Sequence, residues 1–257
     1  MGGVVNGVEK QQRIARARQA LLQAETAVGL HQRLPVQQAT TPPQGTGERH
    51  GSVRHDAEHF GLPAALQQVL PAGLRPGSTV EVRGSNSLLL AMGAAAMAHE
   101  RWIALVGLPH LGVPAAAEAG VALQRTVVVP SPGARAAEVV AALIEGFDVL
   151  VLGAGRQLRD RDRRLVLARL RSRGAVLLST NWPGSDLQLV AHTQHTTGLG
   201  QGWGAVAERR VELLAGGRLL GGQEHRLVLR FDGAGLHDDG GAVSPGDEGR
   251  PRLRAVS

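Results

Sequence analysis

The chain has 257 residues with 43% apolar content, which is enough for one sizeable hydrophobic core with appendages. It contains no cysteine, so disulfide bonds and thiolate metal sites are excluded, and its apolar runs are shorter than the ~18–20 residues that span a bilayer. The formal net charge of +6 is carried by arginine, since Lys10 is the only lysine, and it permits a nucleic acid partner. The N-terminus lacks the apolar stretch of a signal peptide, so we expect a cytoplasmic protein without a membrane partner.

Residues 8–30 are predicted to form an amphipathic helix. Apolar residues recur there at alternating steps of three and four, and they form one seam: Ile14, Ala17, Leu21, Ala24 and Val28. The seam either packs on the chain's own core or binds another chain, and Ile14, Leu21 and Val28 are the candidate partner contacts. The segment that follows, 31–58, is rich in Gln, Thr, Pro and Gly without periodicity, which predicts a flexible linker.

A change of pattern near Phe60 marks the start of a core that we place at residues 59–232. Five short strands are predicted, at 79–83, 102–106, 126–129, 149–152 and 175–179. Helices are predicted between them, at 88–100, 114–119, 131–145 and 160–173. The strands are apolar throughout rather than alternating, as in strands buried on both faces of a parallel sheet. This rhythm predicts an α/β fold, with a mostly parallel sheet flanked by helices.

The chain is expected to end in antiparallel structure and a tail. Residues 206–214 and 226–231 alternate in polarity around the glycines of AGGRLLGG, which predicts a C-terminal antiparallel hairpin. Residues 233–257 are rich in glycine, proline and charge, and we predict a disordered basic tail. The chain therefore divides into an N-terminal helix (1–30), the linker, the core and this tail.

The stretch VEVRGSNSLLLAMG, residues 80–93, runs from a strand through a turn into an apolar helix. A nucleotide-binding P-loop sits at such a junction and needs G-x-x-x-x-G-K-[ST], whose lysine and hydroxyl hold the phosphates and magnesium. The turn is kept by four residues: Gly84, Ser85, Asn86 and Ser87. Ser87 is the expected helix cap, but the Leu88–Leu90 run occupies the lysine's place, and Arg83 is expected to point away. We predict a non-functional remnant without a metal or other cofactor, and residual ATP binding stays an open alternative.

A second requirement of such a site is an acidic residue after the strand in FDVLVLGAG, where it would hold magnesium through water. The strand ends instead at Gly153-Ala154-Gly155, and Asp148 lies at its opposite end. His192 and His195 have no Ser or Cys nucleophile at a strained turn, so no catalytic triad is indicated. The sequence therefore predicts no catalytic residue and a protein that is not an enzyme.

The order of these motifs resembles the RecA family over residues 58–232. FGLPAALQQVLPAGLRPGSTVEVRG resembles the segment that leads into the first core strand of that family. WIALVGLPHLGVPAAAEAGVALQRTVVVPSPGARAAEVVAALIEGFDVLVLG resembles the next part, and AVLLSTNWPG resembles the strand that ends in the γ-phosphate-sensing Asn-Gln. Asn181 matches that Asn, but Trp182 replaces the Gln, and Pro109 stands in the place of the catalytic glutamate.

This pattern of loss resembles the ImuA family in its diverged ImuA-prime branch. The resemblance implies a RecA-like core and a non-catalytic accessory role in inducible mutagenic translesion DNA synthesis, near the nucleoid. The implied partners are ImuB, an inactive Y-family polymerase homologue, and indirectly a DnaE-type error-prone polymerase, with single-stranded DNA or RecA as further candidates. Two alternatives stay open, a residual RecA-type ATPase or DNA-binding recombinase paralogue, and a SulA-type inhibitor of cell division.

Further candidate contacts lie on an arginine-rich helix and on two tryptophans. Residues expected to face the sheet from this helix are Leu165, Val166, Leu167 and Leu170. The outer face either contacts DNA phosphates or is simply solvated, and the DNA candidates are Arg161, Arg163, Arg164 and Arg169. Trp203, in the glycine-rich stretch 197–210, is a candidate for stacking on a base or for anchoring a flexible loop. Trp182 lies either in a packed turn or on a partner surface.

Overall fold

The computed structural model describes residues 59–153, 158–199 and 204–240, together with the helical, exposed residues Arg16, Gln19 and Gln23. The predicted linker and most of the predicted N-terminal helix and tail lie outside the described residues. So do four candidate contacts: Ile14, Leu21, Val28 and Trp203. None of the described helices is long and apolar enough to cross a membrane.

Five α-helices and nine strands follow one another between residues 59 and 240 of the described chain. The helices are α1 (Ala64–Gln67), α2 (Asn86–Ala96), α3 (Val113–Glu118), α4 (Ala136–Ile144) and α5 (Asp160–Arg173). The strands are β1 (Thr79–Arg83), β2 (Ile103–Val106), β3 (Thr126–Val129), β4 (Val149–Leu152), β5 (Val176–Ser179), β6 (Leu187–Leu199), β7 (Gly204–Gly216), β8 (His225–Asp232) and β9 (Gly235–Asp238).

The described strands form one mixed sheet in the order β3-β2-β4-β5-β1-β6-β7-β8-β9. Neighbours from β3 to β6 are parallel, and neighbours from β6 to β9 are antiparallel. The predicted α/β class and the parallel half of the sheet are confirmed. The order differs from the 3-2-1-4-5-6 and 2-1-3-4-5 orders of dinucleotide-binding and flavodoxin-like sheets.

Helices cover both faces of the parallel half. Successive side chains of each strand point to opposite faces, so each strand contributes to both helical layers. One apolar cluster joins α1, α2 and α3 to the sheet and includes Val80 and Val82 of β1. A second cluster joins α4 and α5 to the other face and includes Leu150 and Leu177. β1, β2, β4 and β5 are buried along almost their whole length, as the apolar sequences of β2 and β4 predict most clearly.

The antiparallel half is larger than the sequence predicts. The hairpin of β7 and β8 is confirmed, but β6 and β9 were not predicted, and β9 lies within the segment assigned to the tail. β6 also takes up the first residues of the stretch 197–210, and β7 takes up its last ones, so most of that stretch is not a loop. None of the described residues of β6–β9 belongs to the cluster under α4 and α5, so the apolar core residues of this half lie on one face, and polar contacts such as Arg226–Glu212 lie on the other.

Helix α2 begins two residues earlier and ends four residues earlier than predicted. Its cap is Ser85, whose Oγ accepts a hydrogen bond from the N–H of Leu88 at 3.1 Å, and the predicted cap, Ser87, lies inside the first turn. The helix ends at Ala96, shortly before His99 and Glu100, which both have left-handed backbone angles with φ of 59° and 63°. Such angles cannot continue a right-handed helix.

Helix α5 has the predicted bounds and turns Val166, Leu167 and Leu170 to the sheet as predicted, but not Leu165. Val166 and Leu170 are buried, whereas Leu165 is 56% exposed. The prediction that Leu165 faces the sheet was therefore wrong. Residues four apart share one side of a helix, and the pair 166 and 170 defines the buried side; Leu165 lies off it.

Candidate functional site

The turn between β1 and α2 lies where a parallel sheet offers a ligand cleft. The helix after β1, α2, packs on one face of the sheet, whereas the helix after β4, α5, packs on the other. Ligands of open parallel sheets bind at the carboxyl ends of the strands where the connections change face. A cleft of about 280 Å³ opens there, between the turn and Thr180 after β5. Gly84 shapes the turn: its φ is +82°, and a Cβ atom in its place would lie 2.1 Å from the carbonyl oxygen of Ala191.

The cleft is more polar than the sequence indicates. Its lining includes Arg83, Ser85 and Asn86, whereas the leucines that follow are buried in the core and turn away from the cleft. The Leu88–Leu90 run does not line the cleft, whereas Arg83 does. The buried Arg83 Nε makes no hydrogen bond among the described residues and lies 3.9 Å from Oε2 of Glu81.

A second cation reaches this region from a distant strand. Arg209 of β7 donates a hydrogen bond from its guanidinium to the Ser87 hydroxyl, at 3.2 Å, and lies 5.7 Å from the ring centroid of Phe231. Sequence reasoning missed Arg209, because β6 was not recognised as the strand that carries β7 back to β1. The only sequence signal was the arginine pair in the middle of an alternating strand.

Glu81 is a buried carboxylate in the middle of β1, with only 7% of the residue exposed. Burial raises the pKa of its carboxyl group from the ordinary 4.5, against opposing contributions from Arg83 and from the hydrogen bond donated by the N–H of Trp182. That hydrogen bond is 3.3 Å long. The Trp182 side chain is 1% exposed and belongs to the cluster under α4 and α5, so the packed-turn interpretation describes this residue.

Asp148 and Pro109, two further positions of the RecA comparison, do not line the cleft. Asp148 lies at the amino end of β4, as predicted, and accepts a hydrogen bond from the N–H of Trp102 at 2.8 Å. Thr180 donates a hydrogen bond to the carbonyl of Gly153 across the carboxyl ends of β4 and β5. Pro109 lies in an exposed turn after β2. Within the described ranges, no group of three His, Asp or Glu residues is placed to hold a metal ion.

The candidate DNA-contacting arginines of α5 differ in their exposure and in their surroundings. Arg161 and Arg164 are exposed on the outer side of the helix. Arg163 is partly buried and forms an ion pair with Asp160. Arg169 lines a groove of about 700 Å³ between α4 and α5, to which Gln19 and Gln23 of the predicted N-terminal helix also contribute.

Two comparisons with known proteins cover this region. Residues 68–184 match the family model of the MT3502 N-terminal domain. The chain is also 42% identical over 137 residues to the uncharacterized protein Rv3395c of Mycobacterium tuberculosis strain H37Rv, a match that spans 51% of this chain and 67% of the relative. The chain belongs to the same family as Rv3395c.

The family-model match contains both the cleft and the arginine-rich helix. It begins just after α1 and ends at Gly184, so it includes β1 to β5 and their connecting helices. The antiparallel strands β6–β9 and Arg209 lie beyond it. The family-model match therefore covers β1 to β5 and includes the turn at Gly84 near its start.

Proposed function

We propose that this protein is a catalytically inactive, RecA-like accessory protein of the ImuA-prime type, which serves as an adaptor in inducible mutagenic translesion DNA synthesis. The observation that carries the proposal is the burial of Leu88, Leu89 and Leu90 at the start of α2. Counted from Gly84, Leu89 replaces the second glycine of the P-loop motif, Leu90 replaces the lysine that contacts the phosphates, and Ala91 replaces the hydroxyl residue that holds the magnesium ion. A helix that uses these leucines for its core has no such groups to offer.

The order of elements supports the RecA-like part of the proposal. A strand, a glycine turn and a helix come first, and the strand in the position of the acidic residue, β4, is separated from β1 by β5 alone. The cleft at Gly84 lies at the carboxyl ends of these strands, where RecA-type proteins are expected to hold nucleotide. The cleft therefore supports a proposal in which the position of a nucleotide site is retained while the P-loop lysine and hydroxyl are lost.

An adaptor without hydrolysis acts by contact with other proteins. The resemblance to the ImuA family makes an ImuB-type Y-family homologue the first partner and a DnaE-type error-prone polymerase the indirect one. Two surfaces are available for such contacts. One is the groove between α4 and α5, which Gln19 and Gln23 also line, and the other is the face of β6–β9 that carries no residue of the apolar cluster under α4 and α5.

The catalytic half of the proposal is tested by calorimetric titration with ATP and Mg²⁺. We expect no saturable heat and no release of phosphate, with a RecA protein measured in the same buffer as the positive control. Saturable binding accompanied by hydrolysis would show that the protein is an ATPase and would overturn the proposal.

The adaptor half is tested by co-expression with two tagged baits. We expect the protein to co-purify with an ImuB-type homologue from the same genome and not with the tubulin-like division protein. Capture by the division protein alone would favour the SulA-type function. Capture by neither bait would refute the adaptor proposal for these partners.

A second candidate function, nucleotide binding without hydrolysis, is favoured by Arg83 in the cleft and by Arg209 at Ser87. Guanidinium groups can bind phosphate where a lysine is missing. In that case ATP would bind saturably without turnover, and Arg83→Gln would weaken the binding. Arg135→Gln, at the start of α4 and outside the lining of the cleft, is the control and would leave the binding unchanged.

A further inference from the structure

Three arginines form a row on the outer side of α5. Arg161, Arg164 and Arg171 are all exposed, and at about 100° per residue they lie within about 80° of one another around the helix axis. The buried residues Val166 and Leu170 are on the opposite side. At about 1.5 Å per residue the row is about 15 Å long, which matches roughly four phosphates of one strand at about 3.4 Å each. We call these three residues the arginine face.

Asp160 and Asp162 flank Arg161 in sequence, but the arginine face, like Arg169, forms no ion pair among the described residues. Arg163 is paired with Asp160, Arg173 with Glu145 and Arg135 with Glu138. Among the described residues, no ion pair joins an acidic group to a member of the arginine face. Its guanidinium groups are therefore not engaged in ion pairs within the described part of the molecule.

The row continues beyond the end of the helix. Gly77 packs against Arg171, since a Cβ atom on Gly77 would lie 3.0 Å from the Cα atom of Arg171. Arg75, two residues earlier, is exposed and adds a fourth cation beside the C-terminal end of the row. The side chains between the arginines are small, with Ala168 and Ser172 both exposed.

We propose that the arginine face binds the phosphate backbone of nucleic acid without reading its sequence. A protein interface needs a buried apolar or aromatic anchor, and the nearest exposed large apolar side chain, Leu165, lines the groove toward α4 instead. A straight row of unpaired guanidinium groups matches a row of phosphates, which arginine binds with release of counterions. This site goes beyond the proposed function, in which the adaptor acts through protein contacts alone.

The test is fluorescence anisotropy of the full chain with labelled single-stranded and duplex oligonucleotides, at KCl concentrations between about 50 and 200 mM. The main variant changes Arg161, Arg164 and Arg171 to Gln. A matched control removes the same charge from exposed arginines that have acidic partners: Arg135, Arg210 and Arg218. A third variant replaces the arginine face with lysines, and circular dichroism with thermal unfolding checks that every variant is folded.

We expect the wild type to bind, with a logarithmic affinity that falls linearly with the logarithm of salt concentration. The glutamine variant should lower that slope by about 2 with a single strand or by about 3 with a duplex, if all three arginines contact phosphate. The comparison of the two oligonucleotides shows which form the face prefers. The lysine variant and the matched control should keep the wild-type slope.

Four results would overturn the proposal: no binding at the lowest salt, an unchanged slope in the glutamine variant, loss of the slope in the lysine variant, and an equal loss in the matched control. Poly-glutamate serves as a probe for an acidic protein. If poly-glutamate binds through the arginine face and the oligonucleotides do not, the face is a protein site. Co-purification with an ImuB-type bait should be unchanged in the glutamine variant, so this proposal and the adaptor proposal can fail separately.

Discussion

Arg209, in the middle of β7, donates a hydrogen bond to Ser87, in the first turn of α2, at 3.2 Å. The contact ties the antiparallel half of the sheet to the turn at Gly84. We predict a coupling energy of about 0.5–1.5 kcal/mol between Arg209→Gln and Ser87→Ala in a double-mutant cycle of urea unfolding. Arg210→Gln is the control, because Arg210 pairs with Asp239 and should show no coupling to Ser87→Ala. Additive effects of Arg209→Gln and Ser87→Ala would contradict the contact.

Gly84 and Gly133 both have positive φ angles, so their alanine variants distinguish the cost of a steric clash from the cost of backbone strain alone. Gly84 has φ of +82° and no room for a Cβ atom beside Ala191, whereas Gly133 has φ of +64° and nothing within 4 Å. Gly133→Ala should cost about 1–2 kcal/mol of unfolding free energy, the strain of a left-handed alanine. Gly84→Ala should cost roughly 3 kcal/mol or more, because the backbone must also move. Equal losses of stability in urea would show that the turn is looser than the structure indicates.

The buried carboxyl group of Glu81 makes stability depend on pH. Because its pKa is raised above the ordinary 4.5, the folded protein keeps a proton that the unfolded chain has lost, so this group lowers stability as pH rises through that window. Glu81→Gln removes the effect. The unfolding free energy of the variant relative to wild type should increase with pH, by about 1.4 kcal/mol for each unit by which the pKa is raised.

Glu138 provides the opposite case for the same measurement. Its hydrogen bond and ion pair with Arg135 lower the pKa of its carboxyl group, so ionised Glu138 adds stability above the ordinary value and the gain is lost on acidification. Glu138→Gln should therefore lose stability relative to wild type as pH rises. Urea unfolding of both variants from acid to neutral pH distinguishes the signs. A flat difference for Glu81→Gln would mean that its carboxyl group is better solvated than its burial indicates.

The orientation of α5 is tested by two leucines of the same helix. Leu170 is fully buried, and Leu170→Ala should cost about 2–5 kcal/mol through lost contacts and a cavity. Leu165 is exposed, and Leu165→Ala should change the unfolding free energy by no more than about 0.5 kcal/mol. Similar losses of stability at both leucines would restore the prediction that Leu165 also faces the sheet.

The parallel half of the sheet was predictable because most of its strands are buried on both faces and are mainly apolar, although β1 also carries Glu81 and Arg83. β6 was harder to see. Its first residues alternate, but the second half, HTQHTTGL, is polar and its residues are mostly exposed, so it lacks the apolar signal of a strand. The pairing with β7, which no single segment encodes, keeps it extended.

The polar contacts of the candidate site depend on backbone angles and on the register of strands that are far apart in the sequence. Ser85 and Ser87 are both acceptable caps by residue type, and only the backbone angles at the turn select Ser85. The position of Arg209 depends on a register between strands far apart in sequence. The failure of the P-loop motif, by contrast, was visible in the sequence, since a missing lysine needs no coordinates.

β1 is synthesised long before its neighbours in the sheet exist. It ends at Arg83, whereas its parallel partners begin at Val176 in β5 and Leu187 in β6. About ninety residues separate β1 from the first of them, which takes the ribosome roughly 5–20 s to translate. During that interval Val80 and Val82 have no strand beside them, so the nascent chain needs α2 or a chaperone to shield them. The central place of β1 thus makes closure of the sheet a late step of biosynthesis.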